Sequence, residues 1–180
     1  SNIGPAGTVR LLPDDCLDPE YVERINRDMT PTAIMWLHFA SDELLMDYSA
    51  ISVGCSRRVN MIDVPSLEAE GVAPPGKHLY TVGAAPKDSL EPGDIRKEFK
   101  EVMKDLDEIF PDFRRRCRVL TKTCYRGKWP GFRTVPDKHE GHRTPIGNLY
   151  NVGDAACPSG YDGSMGAAKS ARLAFEDISA

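Results

Sequence analysis

Gly147-Asn148-Leu149-Tyr150-Asn151-Val152-Gly153-Asp154-Ala155-Ala156, resumed at Gly163-Ser164-Met165-Gly166-Ala167-Ala168 and running on to Ile178, reads as a short apolar strand, a Gly-Asp turn and the opening of a helix rich in small residues. Such a layout brings one carboxylate and the unpaired amides of a helix start to one spot, which suits a ligand carrying both hydroxyl and phosphate or carbonyl oxygens. Gly163 and Gly166 leave room against the backbone, and Ala167, Ala168, Ser170, Ala171 and Ala174 let the helix approach a neighbour closely. The same pattern also describes a tight strand–helix connection whose small residues serve packing alone. The residues by themselves leave both readings open.

Upstream, the elements alternate without a regular βαβ rhythm, so an α+β fold with a mixed or antiparallel sheet and packed helices is expected. Asp18-Pro19-Glu20 is a helix start with Asp as cap and Pro in the first turn. The apolar run 33–40 (AIMWLHFA) is a buried strand, and Ile51-Ser52-Val53, Arg58–Ile62 and His78–Val82 are further strands. Pro65–Gly76 reads as loop. From Ile95 to Phe110 the apolar positions fall on one helical stripe, capped by Asp94 and stopped by Pro111. Its apolar face is most simply core. Val119, Thr121, Thr123 and Tyr125 alternate with Arg118, Leu120, Lys122 and Cys124 as in a half-exposed strand. The basic run 114–118 marks a solvated strand start or sheet edge, with an anion site as the alternative. Residues 126–147 form a long Gly/Pro-rich loop, a type that is commonly functional.

The 180 residues suit one domain with a real core; 41% are apolar and the net charge is −4, so no nucleic-acid partner is expected. No apolar run reaches the roughly 20 residues needed to span a bilayer. Cys16, Cys55, Cys117, Cys124 and Cys157 form no CxxC pair; an odd, unpatterned set reads as reduced thiols in a cytoplasmic setting. His139-Glu140-Gly141-His142 pairs two histidines beside an acid, but too few further ligands lie near for a metal site, and none is expected. His38 points away from Met35, Leu37 and Phe39, as a hydrogen-bonded interior histidine or a substrate contact. No Ser/His/Asp or Cys/His nucleophile arrangement and no interpretable carboxylate pair is present.

Thr144–Ala155, with Pro158, Gly160, Gly163 and Gly166-Ala167-Ala168-Lys169-Ser170-Ala171, resembles the C-terminal flavin-contacting motif of the phytoene desaturase-like FAD-dependent oxidoreductases, within the flavin amine oxidase superfamily. Ser1-Asn2-Ile3-Gly4-Pro5-Ala6-Gly7-Thr8, Ala73–His78 and Trp129–Thr134 also look like family junctions, so the resemblance covers nearly the whole chain. It implies that Gly153, Asp154 and Ala155 meet the ribityl–pyrophosphate part of FAD, and that Ser164, Met165, Gly166 and Ala167 lie near the flavin ring. It further implies a substrate-binding region over 1–143 and a C-terminal FAD-contacting strand–turn–helix over 144–180. Catalytic side chains stay unassigned, in keeping with flavin chemistry, where the ring accepts the hydride.

The departure from the family is the dinucleotide fingerprint. Gly4-Pro5-Ala6-Gly7 lacks G-x-G-x-x-G and has only three residues before it. The N-terminal Rossmann half is therefore expected to lie outside these residues, as a missing FAD-binding partner half. The expectation is a fragment of an FAD-dependent oxidoreductase that transfers hydride at a C–C bond of an apolar, isoprenoid- or carotenoid-like substrate. Amine oxidase-like C–N oxidation, or a non-catalytic binding domain reusing the fold, are the alternatives. The isolated chain is expected to be inactive and to bind FAD weakly or not at all, in the cytoplasm, with peripheral membrane contact open.

Overall fold

The computed structural model describes residues 1–49, 58–135, 138–161 and 163–180. In chain order the helices and strands are α1 (Pro5–Leu11), α2 (Pro19–Asp28), β1 (Ile34–Ser41), β2 (Val59–Asp63), α3 (Pro65–Glu68), β3 (His78–Ala84), α4 (Ile95–Ile109), α5 (Phe113–Arg116), β4 (Cys117–Tyr125) and α6 (Gly163–Ser179). The fold is α+β, as the sequence leads one to expect. The chain divides into two compact units where one was expected: residues 33–131, and residues 1–32 with 132–180. The division at 143/144 that the resemblance implies, between a substrate-binding region and a C-terminal FAD-contacting strand–turn–helix, falls inside the second of these.

The unit of residues 33–131 is built on a four-stranded sheet of order β2-β3-β1-β4, antiparallel throughout. β1 alternates half-buried and buried residues along its whole length. A strand in the middle of a sheet with one face covered must do so, because successive side chains point to opposite faces. Met35, Leu37 and Phe39 meet Tyr80 and Val82 of β3 and Phe99, Val102 and Leu106 of α4 in a single apolar cluster. At its heart Phe39 stacks on Tyr80 at 4.5 Å and meets the edge of Phe113 at 4.9 Å. Tyr80 keeps its hydroxyl satisfied by accepting the Leu45 N–H at 2.7 Å, which removes the desolvation cost of burying it. α4 starts where Asp94 accepts the Arg96 amide at 2.9 Å. Each of its three buried side chains, Phe99, Val102 and Leu106, stabilises the unit by roughly 1.5–3 kcal/mol.

Three readings change here. Pro65 opens a short helix, α3, where loop was expected, because its fixed φ and missing N–H suit a helix start. The run 114–116 closes the short helix α5 before β4 begins, and its guanidinium groups pair with Asp107, Asp112 and Glu43. In β4 the register against β1 slips between Val119 and Thr121, since His38 faces Thr121 and Phe39 faces Val119. Leu120 is the extra residue of a bulge, which re-aims every side chain after it. Cys117, Val119 and Cys124 therefore pack on the core, and the simple alternation from 118 to 125 fails. The strand proposed at 51–53 lies outside the described residues.

In the other unit α2 begins as expected, with Asp18 accepting the Glu20 amide at 3.0 Å. Leu17, Tyr21, Ile25 and Met29 make its core with Ala155, flanked by Val9, Leu12 and Ile146. The strand expected before Gly153 is reduced to extended backbone with one isolated bridge, Arg143 to Tyr150. Its amides go to two different segments, Asn151 to the His142 carbonyl and Val152 to that of Ser1, so no continuous ladder forms. Thr32 and Phe132 exchange both backbone hydrogen bonds, at 3.0 and 3.3 Å.

Candidate functional site

The site grows from one backbone conformation. Gly153 sits at φ 121°, ψ 178°, a region essentially closed to residues with a Cβ, and nothing lies within 4 Å of where a Cβ would point. The chain then tightens into a 3-10 turn, Asp154–Ala156, so Asp154 opens a turn and does not end a strand. Ser170, fully buried on α6, holds that turn. Its Oγ accepts the Gly153 N–H at 2.8 Å, and its single proton serves the carbonyls of Gly153 and Ala167 at 3.0 and 2.8 Å. The sequence marks Ser170 only as one small residue in a packing stripe; its part in fixing Gly153 carries no sequence signal.

A second clamp lies one turn earlier on α6. The buried Cys157 places Sγ 2.8 Å from the Asp154 carbonyl and 3.1 Å from that of Tyr161. A Cβ on Gly166 would come within 2.8 Å of the same sulfur. Gly166 is a glycine because a thiol occupies the space. Asn151, also fully buried, accepts from Thr8 Oγ1 at 2.6 Å and donates to the Tyr21 hydroxyl at 3.3 Å, tying α1 and α2 to the backbone that enters the turn. Burial pushes the Tyr21 hydroxyl's pKa up.

Of the seven expected ligand residues, Gly153 and Asp154 lie at the turn, and the turn packs directly on α6. Gly166 lies against Cys157 and the backbone of Tyr161, while Ala167 is half-buried and its carbonyl accepts from Ser170. Ser164 and Met165 stand exposed in the first turn of α6, Met165 at 73%, where their amides have no intrahelical acceptor. Ala155 is buried in the α2 core, so any contact it makes with a ligand is through its backbone. The half-buried Asp154 carboxylate has no hydrogen-bond or ion-pair partner among the described residues. A carboxylate so placed can accept hydrogen bonds from ligand hydroxyls.

At the far end of α6, Asp177 takes Arg143 through both oxygens at 2.6 and 2.7 Å and His142 Nε2 at 2.7 Å. These two cation-forming neighbours hold its pKa down at about 2. Glu140 is committed to Arg24 at 2.7 and 2.9 Å. Among the described residues no group of three His, Cys, Asp or Glu is placed to hold a metal ion. His38 lies on the sheet face away from the core, with Nδ1 2.8 Å from Thr121 Oγ1, and is not interior. Burial pushes the Cys117 and Cys124 thiols up, away from reactivity.

The sequence pattern of the flavin containing amine oxidoreductases matches residues 7–179. The chain belongs to that family. Its fold is that of an oxidoreductase from Methanosarcina mazei, 29% identical with a TM-score of 0.84, over 98% of this chain and 42% of the other. A Pyrococcus furiosus protein, 22% identical, shares the fold at a TM-score of 0.76 over 99% of this chain and 40% of its own. The chain thus spans about two fifths of the length of these structures. Among curated proteins none matches the chain. No helix among the described residues is long and apolar enough to cross a membrane.

Proposed function

We propose that this flavin amine oxidoreductase-family chain supplies the last FAD-contacting segment and the substrate-facing sheet of a larger oxidoreductase. The observation that carries the reading is the Gly153-Asp154 turn pinned to α6 by Ser170, with a carboxylate that has no partner among the described residues and an exposed helix start on α6. These residues fit a flavin: the space in front of Gly153 is open, Asp154 would accept from polyol hydroxyls, and the Ser164 and Met165 amides would donate to carbonyl oxygens. FAD, when bound, supplies the hydride acceptor. The chain's own part is to hold the cofactor and to shape the substrate's surroundings.

The resemblance to phytoene desaturases favours hydride transfer at a C–C bond of an apolar, isoprenoid- or carotenoid-like substrate. The half-buried outer side of β1, with Ile34, Trp36 and Ala40 around His38, offers such a substrate an apolar wall with one polar handle. The amine oxidoreductase family itself favours a second reading, oxidation at a C–N bond. Turnover of a polyene against a panel of amines by the FAD-loaded whole protein separates them. The nucleotide-binding half is the partner this reading requires, and the 180 residues alone should hold FAD weakly.

Asp154→Ala tests the site. Hydrogen bonds to a charged group contribute about 1.5–3 kcal/mol, so the variant should weaken FAD binding by at least about tenfold, read from flavin retained on purified whole protein. Unchanged flavin content in a folded variant would remove Asp154 from the site and leave a non-catalytic binding domain as the better reading.

A further inference from the structure

Arg96, Lys100 and Lys104 stand at successive four-residue steps of α4, so they form one stripe with neighbouring Cβ atoms about 5–6 Å apart. Facing them are Lys122 of β4 and Arg114 of α5, and Phe99 and Met103 make the floor of the groove, which has a volume of about 620 Å³. Among the described residues no acidic side chain lines it. Two of the five cations are already matched: Lys104 pairs with Glu101 and Arg114 with Asp107, each at 2.7 Å. Arg96, Lys100 and Lys122 have no carboxylate partner among the described residues. Three uncompensated positive charges therefore converge on a concave surface of a chain whose net charge is −4.

We infer that this groove is a binding site for a small phosphate-bearing ligand, of the diphosphate class, whose remaining part rests on Phe99 and Met103. A single phosphomonoester brings a charge of about −2 and a diphosphate brings more, which matches three free cations. Lysine and arginine donors converging from two walls are the usual means of holding such a group. Nucleic acid fits less well. Phe99 is only 9% exposed and carries the Lys122 ammonium 5.9 Å over its ring, so no aromatic face is free to stack a base. The groove is lined only by residues of 33–131 and by none of those proposed to meet the flavin, so it stands or falls independently of the flavin reading.

The test is calorimetric titration of the FAD-loaded whole protein, freed of unbound FAD, with inorganic pyrophosphate, so that the cofactor's own phosphate contacts are filled and no free dinucleotide competes for the groove. Saturable binding is expected, weakened about tenfold by Lys100→Gln and by Lys122→Gln. It should be unchanged by Lys128→Gln, an exposed cation outside the groove. Lys100→Gln leaves Phe99 and its cation contact intact, so a loss there cannot be assigned to disturbed packing. Absence of saturable binding, or equal loss in the Lys128→Gln control, overturns the proposal. Binding to phosphatidic acid vesicles or to a single-stranded oligonucleotide without binding of pyrophosphate overturns it too, because the groove would then be a general anionic-surface contact.

Discussion

Asp177 shows how one side chain can set the pH response of a local structure. Its pKa of about 2 in the folded chain lies below the ordinary 3.8 because Arg143 and His142 both favour the charged form. A carboxylate depressed in this way stabilises the fold fully above about pH 4 and loses that contribution as the pH falls through about 2. Asp177→Asn should therefore lower the melting temperature near neutral pH, and the gap to the unmodified protein should close between pH 4 and pH 2. Thermal melts across that range check it; a gap independent of pH would mean that the contacts are packing and not charge. Gly153 works at the same scale by another route, since its conformation is one that only a residue without Cβ adopts freely.

Elements lock to one another here through small residues whose neighbours decide their identity. Exposed or unopposed, Gly166→Ala would favour a helix by about 1 kcal/mol. In this chain the new methyl group meets the Cys157 sulfur at 2.8 Å, and overpacking typically costs about 1–3 kcal/mol. The substitution should thus destabilise the protein in chemical denaturation, and adding Cys157→Ala should restore stability. A stabilising Gly166→Ala by itself would show that the turn and α6 do not meet as described. The same level explains what could be read in advance. α2 and α4 announce themselves through Asp18-Pro19, Asp94 and a 3.6-residue apolar stripe, and β1 through its unbroken apolar run. The facing of β4 could not be read, because a bulge at Leu120 inverts the alternation and nothing in the local residues marks the slip. Of the candidate site, the glycines and Asp154 were legible from turn chemistry. Ser170 and Asn151 were not, since their partners lie 17 and 143 residues away.

At the level of the whole molecule, two separate apolar clusters imply two separately stabilised regions. Phe39 is fully buried among Tyr80, Phe110 and Phe113, and Phe→Ala in such a setting costs about 3–5 kcal/mol. Phe39→Ala should accelerate amide hydrogen exchange in β1, β3, β4 and α4 while leaving α2 and α6 protected. Uniform acceleration over all 180 residues would show one cooperative core in place of two. The junctions between these regions carry little more than Pro31 and Pro130-Gly131 as sequence punctuation, which is why a single domain is the natural first reading.

The reciprocal pair of hydrogen bonds between Thr32 and Phe132 bears on how such a chain can be built and rebuilt. The polypeptide departs and returns at neighbouring points, so the 99 residues from 33 to 131 form a cassette with adjoining ends. Insertions of that geometry are replaced with little disturbance to their host. Evolution, or an engineer, can exchange the four-stranded sheet without redrawing the turn and helix proposed above to hold the cofactor.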